Sequence, residues 1–359
     1  MKYDISITKT TNPAARPTDE SKLGFGKIFT DHMFLMDYAA DRGWYNARIV
    51  PFGPIPTHPA STVFHYGAEI FEGMKAYRAA DGTIRLFRPL ENVRRLNQSA
   101  ERLCLPTIDE EGCLDILNQL VELEKDWVPH SEGTSLYLRP FLYGNDPHLG
   151  VHAVSNAVFA VICSPVGAYY ATGLNPVSIA IESEDVRAVR GGTGYAKCGG
   201  NYAASLRAGK RAEEKGYNQV LWLDGVERKY IEEVGAMNVM FKIDGKIVTP
   251  ALTGSVLPGI TRKSAIELLR SWGYDVEERL FSVEELFDAL ENGRLEEAWG
   301  TGTAAVVSPI GHLFYRGKEY TVSDNKIGPL TQRLYDELTA IQWGRAEDPF
   351  GWSVKVCHG

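Results

Sequence analysis

The chain has 359 residues, 44% of them apolar and 23% charged, ordinary values for a folded globular protein that exclude disorder and fibrous repeats. At about 150 residues per domain, this length predicts roughly two domains with enough buried surface to need no disulfides. Acidic residues number 46 against 38 basic ones, a formal charge of −8, which argues against nucleic-acid or anionic-membrane partners but leaves room for small anions met by a few local cations.

The first sixteen residues are polar, with no apolar stretch that would mark a targeting segment. The longest apolar run, 157–163, is far too short to span a membrane. Five cysteines, at 104, 113, 163, 198 and 357, contain no Cys-x-x-Cys pair, so reduced thiols in a cytoplasmic protein are the expectation. In chain order, 62–71, 136–142 and 157–163 read as strands. Between them, helices are expected near 90–103, with Val93, Leu96, Ala100 and Leu103 at helical spacing, and near 110–127. Gly173 and Asn175-Pro176 break structure and mark a linker at 171–176 between domains at 1–170 and 177–359.

Strands follow at 177–181 and 219–223, flanking a helix from about Tyr202 to Lys215 that stops at Gly216. A hairpin is expected around Asp244-Gly245, joining 237–243 to 246–249. An amphipathic helix runs over 260–272, and Ser282 with Glu285 forms a capping box for a helix ending at Leu290. The pattern is mixed α and β, with too many hairpin signals for a purely parallel doubly wound sheet.

Four stretches carry chemistry. In GGTGYAKCGGNYAA, 191–204, Lys197 is the only charged side chain. A lysine among small and aromatic neighbours has lowered basicity suited to Schiff-base formation. The stretch alone fits equally a glycine-rich turn with an incidental lysine. After Glu232-Glu233 the chain enters the apolar run VGAMNVMF, where a carboxylate fits either a solvated strand edge or a counter-charge for a protonated pyridine nitrogen. SVLPGITR, 255–262, leads into a helix whose first amides, at Ile260 and Thr261, form an anion site, as every helix start does. GTGTAA, 300–305, is either a donor-rich loop or a tight turn. Together they make the inventory of a pyridoxal phosphate (PLP) enzyme: an amine, a ring counter-charge and phosphate loops.

The run EVGAMN from Glu233, with Ile247-Val-Thr249 and Leu257-Pro-Gly259-Ile260-Thr-Arg262, resembles the class IV (fold type IV) aminotransferase signature. Met240 departs from it where an aromatic is usual. FEGMKAYR, SLYLRPFLYGNDPHLGV, AKCGGNYAASL, QVLWLDG and WGTGTAAVVSP extend the resemblance to the branched-chain amino-acid aminotransferase family over nearly the whole chain.

The resemblance implies an α/β mixed (α+β) fold of two domains with the cofactor in the cleft between them. It also implies a homodimer, small-molecule substrates, and exchange of amino groups between leucine, isoleucine or valine and 2-oxoglutarate. Lys197 corresponds to the catalytic aldimine lysine and proton carrier, Tyr202 to the residue on the cofactor's phenolic oxygen, and Glu233 to the ring-nitrogen carboxylate. Arg95, Leu257, Ile260, Thr261 and Thr303 match the remaining cofactor contacts, with Arg94 outside the site. Phe29, Tyr66, Phe71, Tyr137, Tyr169, Thr303 and Ala304 match the substrate pocket. Arg139 matches the residue that receives glutamate's distal carboxylate, and Val151 the residue lent across the dimer interface. Ala236 replaces a threonine that supports the ring in some members, and Ala305 and Ser308 replace the Cys-x-x-Cys pair of some animal members, so that thiol switch is expected to be absent. A D-amino-acid aminotransferase or aminodeoxychorismate lyase would share Lys197 and Glu233, and a non-catalytic PLP-binding protein is a further alternative.

Overall fold

The structure, a computed structural model, describes residues 3–167 and 174–359; the first half of the expected linker, 171–173, and Tyr169 lie outside the described residues. The chain divides into two compact units. The first comprises Met1–Tyr169, Ala196–Gly199 and Ala340–Gly359, and the second Tyr170–Tyr195 and Gly200–Thr339. The sequence expectation assigned both 196–199 and 340–359 to the second domain. The C-terminal segment belongs instead with the first unit, because its strand hydrogen-bonds along an edge there.

The first unit holds β1 (Ser6–Ile7), β2 (His32–Ala39), β3 (Gly43–Pro51), α1 (Thr62–Tyr66), β4 (Glu69–Phe71), β5 (Met74–Arg78) and β6 (Thr83–Phe87). It continues with α2 (Pro89–Arg102), α3 (Glu110–Leu123), β7 (Ser135–Gly144) and β8 (Asn156–Val166). The second unit follows with β9 (Val177–Ile181), α4 (Gly199–Glu214), β10 (Gln219–Leu223), β11 (Ile231–Val234), β12 (Asn238–Ile243), β13 (Lys246–Pro250), α5 (Ile260–Ser271) and β14 (Val276–Arg279). After α6 (Val283–Glu291), β15 (Leu295–Gly302), β16 (Val306–Tyr315) and β17 (Lys318–Thr321) come α7 (Pro329–Gln342) and then β18 (Ser353–His358), which belongs to the first unit.

Each unit is built on one sheet. The first runs β1-β3-β2-β8-β7-β5-β6-β18, with β4 attached to β7, and only the β1–β3 pair is parallel. Helices α2 and α3 bury Val93, Leu96, Ala100, Ile116, Leu117 and Leu120 in a core shared with Leu136, Leu138 and Phe159 of the strands. The second sheet runs β11-β10-β9-β16-β15-β12-β13-β14. It mixes parallel pairs at β9–β10, β9–β16 and β13–β14 with antiparallel ones, so it is not doubly wound. Its core packs Leu221, Val234, Phe241, Phe281 and Leu313.

Local signals match the structure where the chemistry is local. Asp244 and Gly245 both take positive φ, 49° and 75°, in the two-residue turn between β12 and β13. The Ser282 hydroxyl accepts the Glu285 N–H at 3.1 Å and caps α6. The strand expected over 62–71 is corrected to a short helix and a three-residue strand, because Gly67 at φ 60° closes α1 in the left-handed conformation. Helix α3 stops at Leu123, short of Trp127, whose side chain in the following 3-10 turn reaches Asp31 through its indole N–H at 3.0 Å.

Candidate active site

In the first unit, Lys197 is held by its backbone on two sides. Its N–H donates to Ser99 Oγ in α2 at 2.9 Å, and its carbonyl accepts the Phe71 N–H at 2.9 Å. The side-chain nitrogen lies 4.9 Å from the centre of the Phe71 ring. Burial pushes the ammonium down from 10.5 to about 8, and Arg95 and Arg139 push the same way, opposed by Glu72 and Tyr137. At neutral pH, about a tenth of the amine is then unprotonated and nucleophilic, against well under a thousandth for an ordinary lysine.

Arg95, 7% exposed, sits on the buried face of α2 and meets Glu72, 1% exposed. Nε and Nη2 reach the two carboxylate oxygens at 2.7 and 2.9 Å, a bidentate pair. The local positive charge expected at Arg95 is therefore balanced by a buried carboxylate that the residue pattern did not single out. Arg94 points elsewhere, to Glu110 at the surface at 3.2 Å.

Strand β7 carries Tyr137 and Arg139 on one face, two residues apart. Arg139 Nη2 donates to the Tyr137 hydroxyl at 3.1 Å, and its guanidinium lies 4.8 Å from the centre of the Phe71 ring. The Tyr137 hydroxyl leaves no room at Gly73, where a Cβ would come within 2.0 Å of it. Phe25, absent from the expected pocket, packs edge-on against Tyr137 at 5.0 Å. Phe29 stacks on Phe52 at 4.8 Å. The Tyr66 hydroxyl accepts the Gly150 N–H at 2.8 Å, and Val151 is 86% exposed in the same loop.

In the second unit, Glu233 is the hub. Its Oε2 lies 2.7 Å from Arg187 Nε, and its Oε1 accepts the Leu257 N–H at 3.0 Å and the Asn238 amide at 3.3 Å. Asn238 also donates to the Leu257 carbonyl at 2.9 Å, so the loop before α5 is moored to the carboxylate twice. Gly259 precedes the first turn of α5, where Ile260 and Thr261 stand. A Cβ there would come within 1.9 Å of Asn238 Oδ1, so only glycine lets the helix start approach the hub.

Arg187 extends the network, donating to the Ser255 carbonyl at 2.5 Å and the Gly194 carbonyl at 3.3 Å. The glycine-rich loop is anchored to α4 by reciprocal bonds between Thr193 and Asn201, both 2.8 Å. Tyr202 is the next residue of that helix, partly buried, with its carbonyl accepting from Ser205. Thr303 and Ala304 form the turn between β15 and β16, adjoining the Asn238–Thr301 pairing. Ala236 is exposed in the β11–β12 turn, whereas Met240 is fully buried in β12 opposite Trp299.

Residue-level reading missed Glu72, Arg187 and Asn238. Glu72 and Asn238 do stand inside the quoted blocks, so the signal was present; Arg187 sits in no motif. Cys198, next to Lys197, is a buried free thiol, and the His148 and His152 rings stack on each other at 4.3 Å. Among the described residues no cluster could hold a metal, and no helix is long and apolar enough to cross a membrane.

The family model described as "Amino-transferase class IV" matches residues 69–313. Branched-chain-amino-acid aminotransferase 2 of Bacillus subtilis (strain 168) is 54% identical over 355 residues, covering 99% of this chain and 98% of its own. Branched-chain-amino-acid transaminase 1 of the same organism is 55% identical over 98% and 99%. Among solved structures, the branched-chain amino acid aminotransferase of Escherichia coli superposes with a TM-score of 0.73 at 27% identity, over 91% of this chain and 99% of that one. The T.th. branched-chain amino acid aminotransferase complexed with N-(5'-phosphopyridoxyl)-L-glutamate gives 0.76 at 26% identity, over 92% and 100%.

Proposed function

The chain belongs to the class IV aminotransferases, within them to the branched-chain amino-acid aminotransferases, and from that premise we propose its reaction. It moves the amino group of L-leucine, L-isoleucine or L-valine onto 2-oxoglutarate, giving branched-chain 2-oxo acids and L-glutamate, with pyridoxal 5'-phosphate as cofactor. The observation that carries this reading is Lys197, an amine of lowered basicity tied by its backbone to α2 and Phe71.

The residues fit that cofactor. Lys197 supplies the amine that holds it covalently, Glu233 the anion for its ring nitrogen, and Tyr202 a hydroxyl for its phenolic oxygen. Arg95, Thr303 and the first turn of α5 at Ile260 and Thr261 supply donors for its phosphate, after Leu257. The crowded Gly259 position is the kind of close backbone approach that a phosphate site requires. When bound, the cofactor draws electrons from the substrate's Cα, which makes that proton removable.

Lys197 then takes the Cα proton as a general base and returns it as an acid, a role that suits a group titrating near 8. Glu233, paired with Arg187 at 2.7 Å, would supply the negative charge facing the ring nitrogen. Phe29, Tyr66, Phe71, Tyr137, Tyr169 and Ala304 select an apolar side chain by size, each methylene contributing about 1–3 kcal/mol. Arg139, whose Nε is buried without a hydrogen-bond partner, receives the distal carboxylate of glutamate. A cytoplasmic homodimer, with Val151 lent to the second copy, completes the reading, supported by the exposure of Phe64, Leu149 and Val151.

A half-reaction tests this. Enzyme reconstituted with PLP and given L-leucine without a 2-oxo acid should convert its bound PLP to pyridoxamine phosphate, and borohydride added to a separate sample before any amino acid should fix the cofactor on Lys197. Conversion by D-alanine in place of L-leucine would replace the reading with a D-amino-acid aminotransferase, and binding without conversion by any amino acid would replace it with a PLP-binding protein.

A further inference from the structure

Three buried side chains of α2 converge on the segments around Lys197. Asn92, Arg95 and Ser99 follow one another at three and four residues, so one stripe of the helix presents all three. Asn92 donates to Glu72 Oε2 at 2.8 Å, Arg95 engages both oxygens, and Ser99 takes the Lys197 N–H. Phe71, the residue before Glu72, bonds the lysine carbonyl and lies under its side chain. The Glu72 backbone N–H donates to the Pro140 carbonyl at 2.7 Å, and the Gly73 N–H reaches Oε2 at 3.2 Å. A carboxylate at 1% exposure, held at both ends of its residue, has no freedom to leave this position.

We propose that Glu72 is a positioning residue of this site, which locks the Arg95 guanidinium with two bonds and supplies the negative charge that Lys197 faces. The groups that bear on Lys197 are Arg95 from α2, Tyr137 and Arg139 from β7, and Glu72. Two fixed cations there oppose protonation of the amine, and Glu72 is the one carboxylate among them that favours it. Glu72 therefore keeps the lysine basic enough to carry a proton while burial and the arginines keep it acidic enough to be a nucleophile. The proposal rests on the aminotransferase reading only for the use made of the lysine.

The test uses the full chain stripped of PLP. Trinitrobenzenesulfonate labelling is followed from pH 6 to 10, with modification at Lys197 quantified by peptide mass spectrometry. Glu72→Gln keeps the shape and removes the charge. It should move the labelling midpoint of Lys197 to lower pH by about one unit, while Glu72→Asp, which keeps the charge but shortens the reach, should restore most of that shift and still weaken PLP binding. In the holoenzyme, the acid limb of the kcat profile should move with the midpoint. A wild-type midpoint in a folded Glu72→Gln protein overturns the proposal, as does an equal shift in Glu72→Asp. If Glu72→Gln fails to fold, the Arg95→Met background decides: adding Glu72→Gln there should lower the midpoint relative to Arg95→Met alone, and no difference between the two overturns the proposal. A protein that shows these shifts yet transfers no amino group overturns the aminotransferase reading and leaves the role of Glu72 standing.

Discussion

The guanidinium of Arg187 stands 2.7 Å from the carboxylate of Glu233, and both side chains are buried. Each charge makes the other tolerable: a lone ion at that depth carries several kcal/mol of desolvation, whereas the pair offsets it. Arg187→Ala should therefore destabilise the protein by about 3–5 kcal/mol, the range for breaking a buried pair. It should also loosen the loop at Ser255, which loses its bond from Arg187. Urea unfolding of the variant beside wild type measures the cost, and a loss below about 1 kcal/mol would contradict the pairing.

On the proposed mechanism, Lys197→Ala removes both the covalent anchor and the proton carrier. Turnover of L-leucine with 2-oxoglutarate should fall at least about 10⁴-fold, the upper range for loss of an acid–base group. Turnover near the wild-type level in a coupled glutamate assay would end the assignment of this residue.

Gly259→Ala places a Cβ against Asn238 Oδ1, whose side chain is fixed by Glu233 and Leu257 and cannot step aside freely. Crowding of this kind costs about 1–3 kcal/mol, and it falls where the phosphate is expected to sit. The PLP dissociation constant, read by fluorescence titration, should rise about 10- to 100-fold. Unchanged affinity would separate this helix start from the phosphate.

Arg139→Leu keeps apolar bulk beside Phe71 and Tyr137 and deletes the charge. The KM for 2-oxoglutarate should rise about 10- to 100-fold, as expected for losing a charge-assisted hydrogen bond of about 1.5–3 kcal/mol. The KM for L-leucine should move little. Parallel increases in both constants would mean that Arg139 shapes the pocket without reading the distal carboxylate.

Lys75, 6% exposed on β5, has its ammonium pushed from 10.5 down to about 8 by burial. Between these values the unfolded chain holds a proton that the folded chain has released, so stability rises with pH through the window. The gain from this residue is on the order of 3 kcal/mol. Wild type should gain more than Lys75→Met when urea midpoints are compared at pH 7 and pH 10, and equal gains would show that Lys75 is not the titrating group.

What was legible in the sequence has a local cause. The Asp244-Gly245 turn, the Ser282 cap and the stop at Gly216 depend on neighbours within a few residues, and the apolar faces of α2 and α3 show as a period. The stretch over 62–71 misled because its apolar and aromatic residues suit a strand, while a single left-handed glycine decides for a helix. Strand β18 went unread because its pairing partner, β6, lies most of the chain away.

For the candidate site, the residue inventory followed from the sequence alone: a lysine without charged neighbours, a carboxylate before an apolar strand, and two small-residue loops. The pairings came only with the tertiary structure. Glu72 and Arg95 are 23 residues apart, and Lys197 and Ser99 are 98 apart. A polar pair brought together over such distances leaves no period and no local signature, because its energy comes from shared burial that only the folded chain provides.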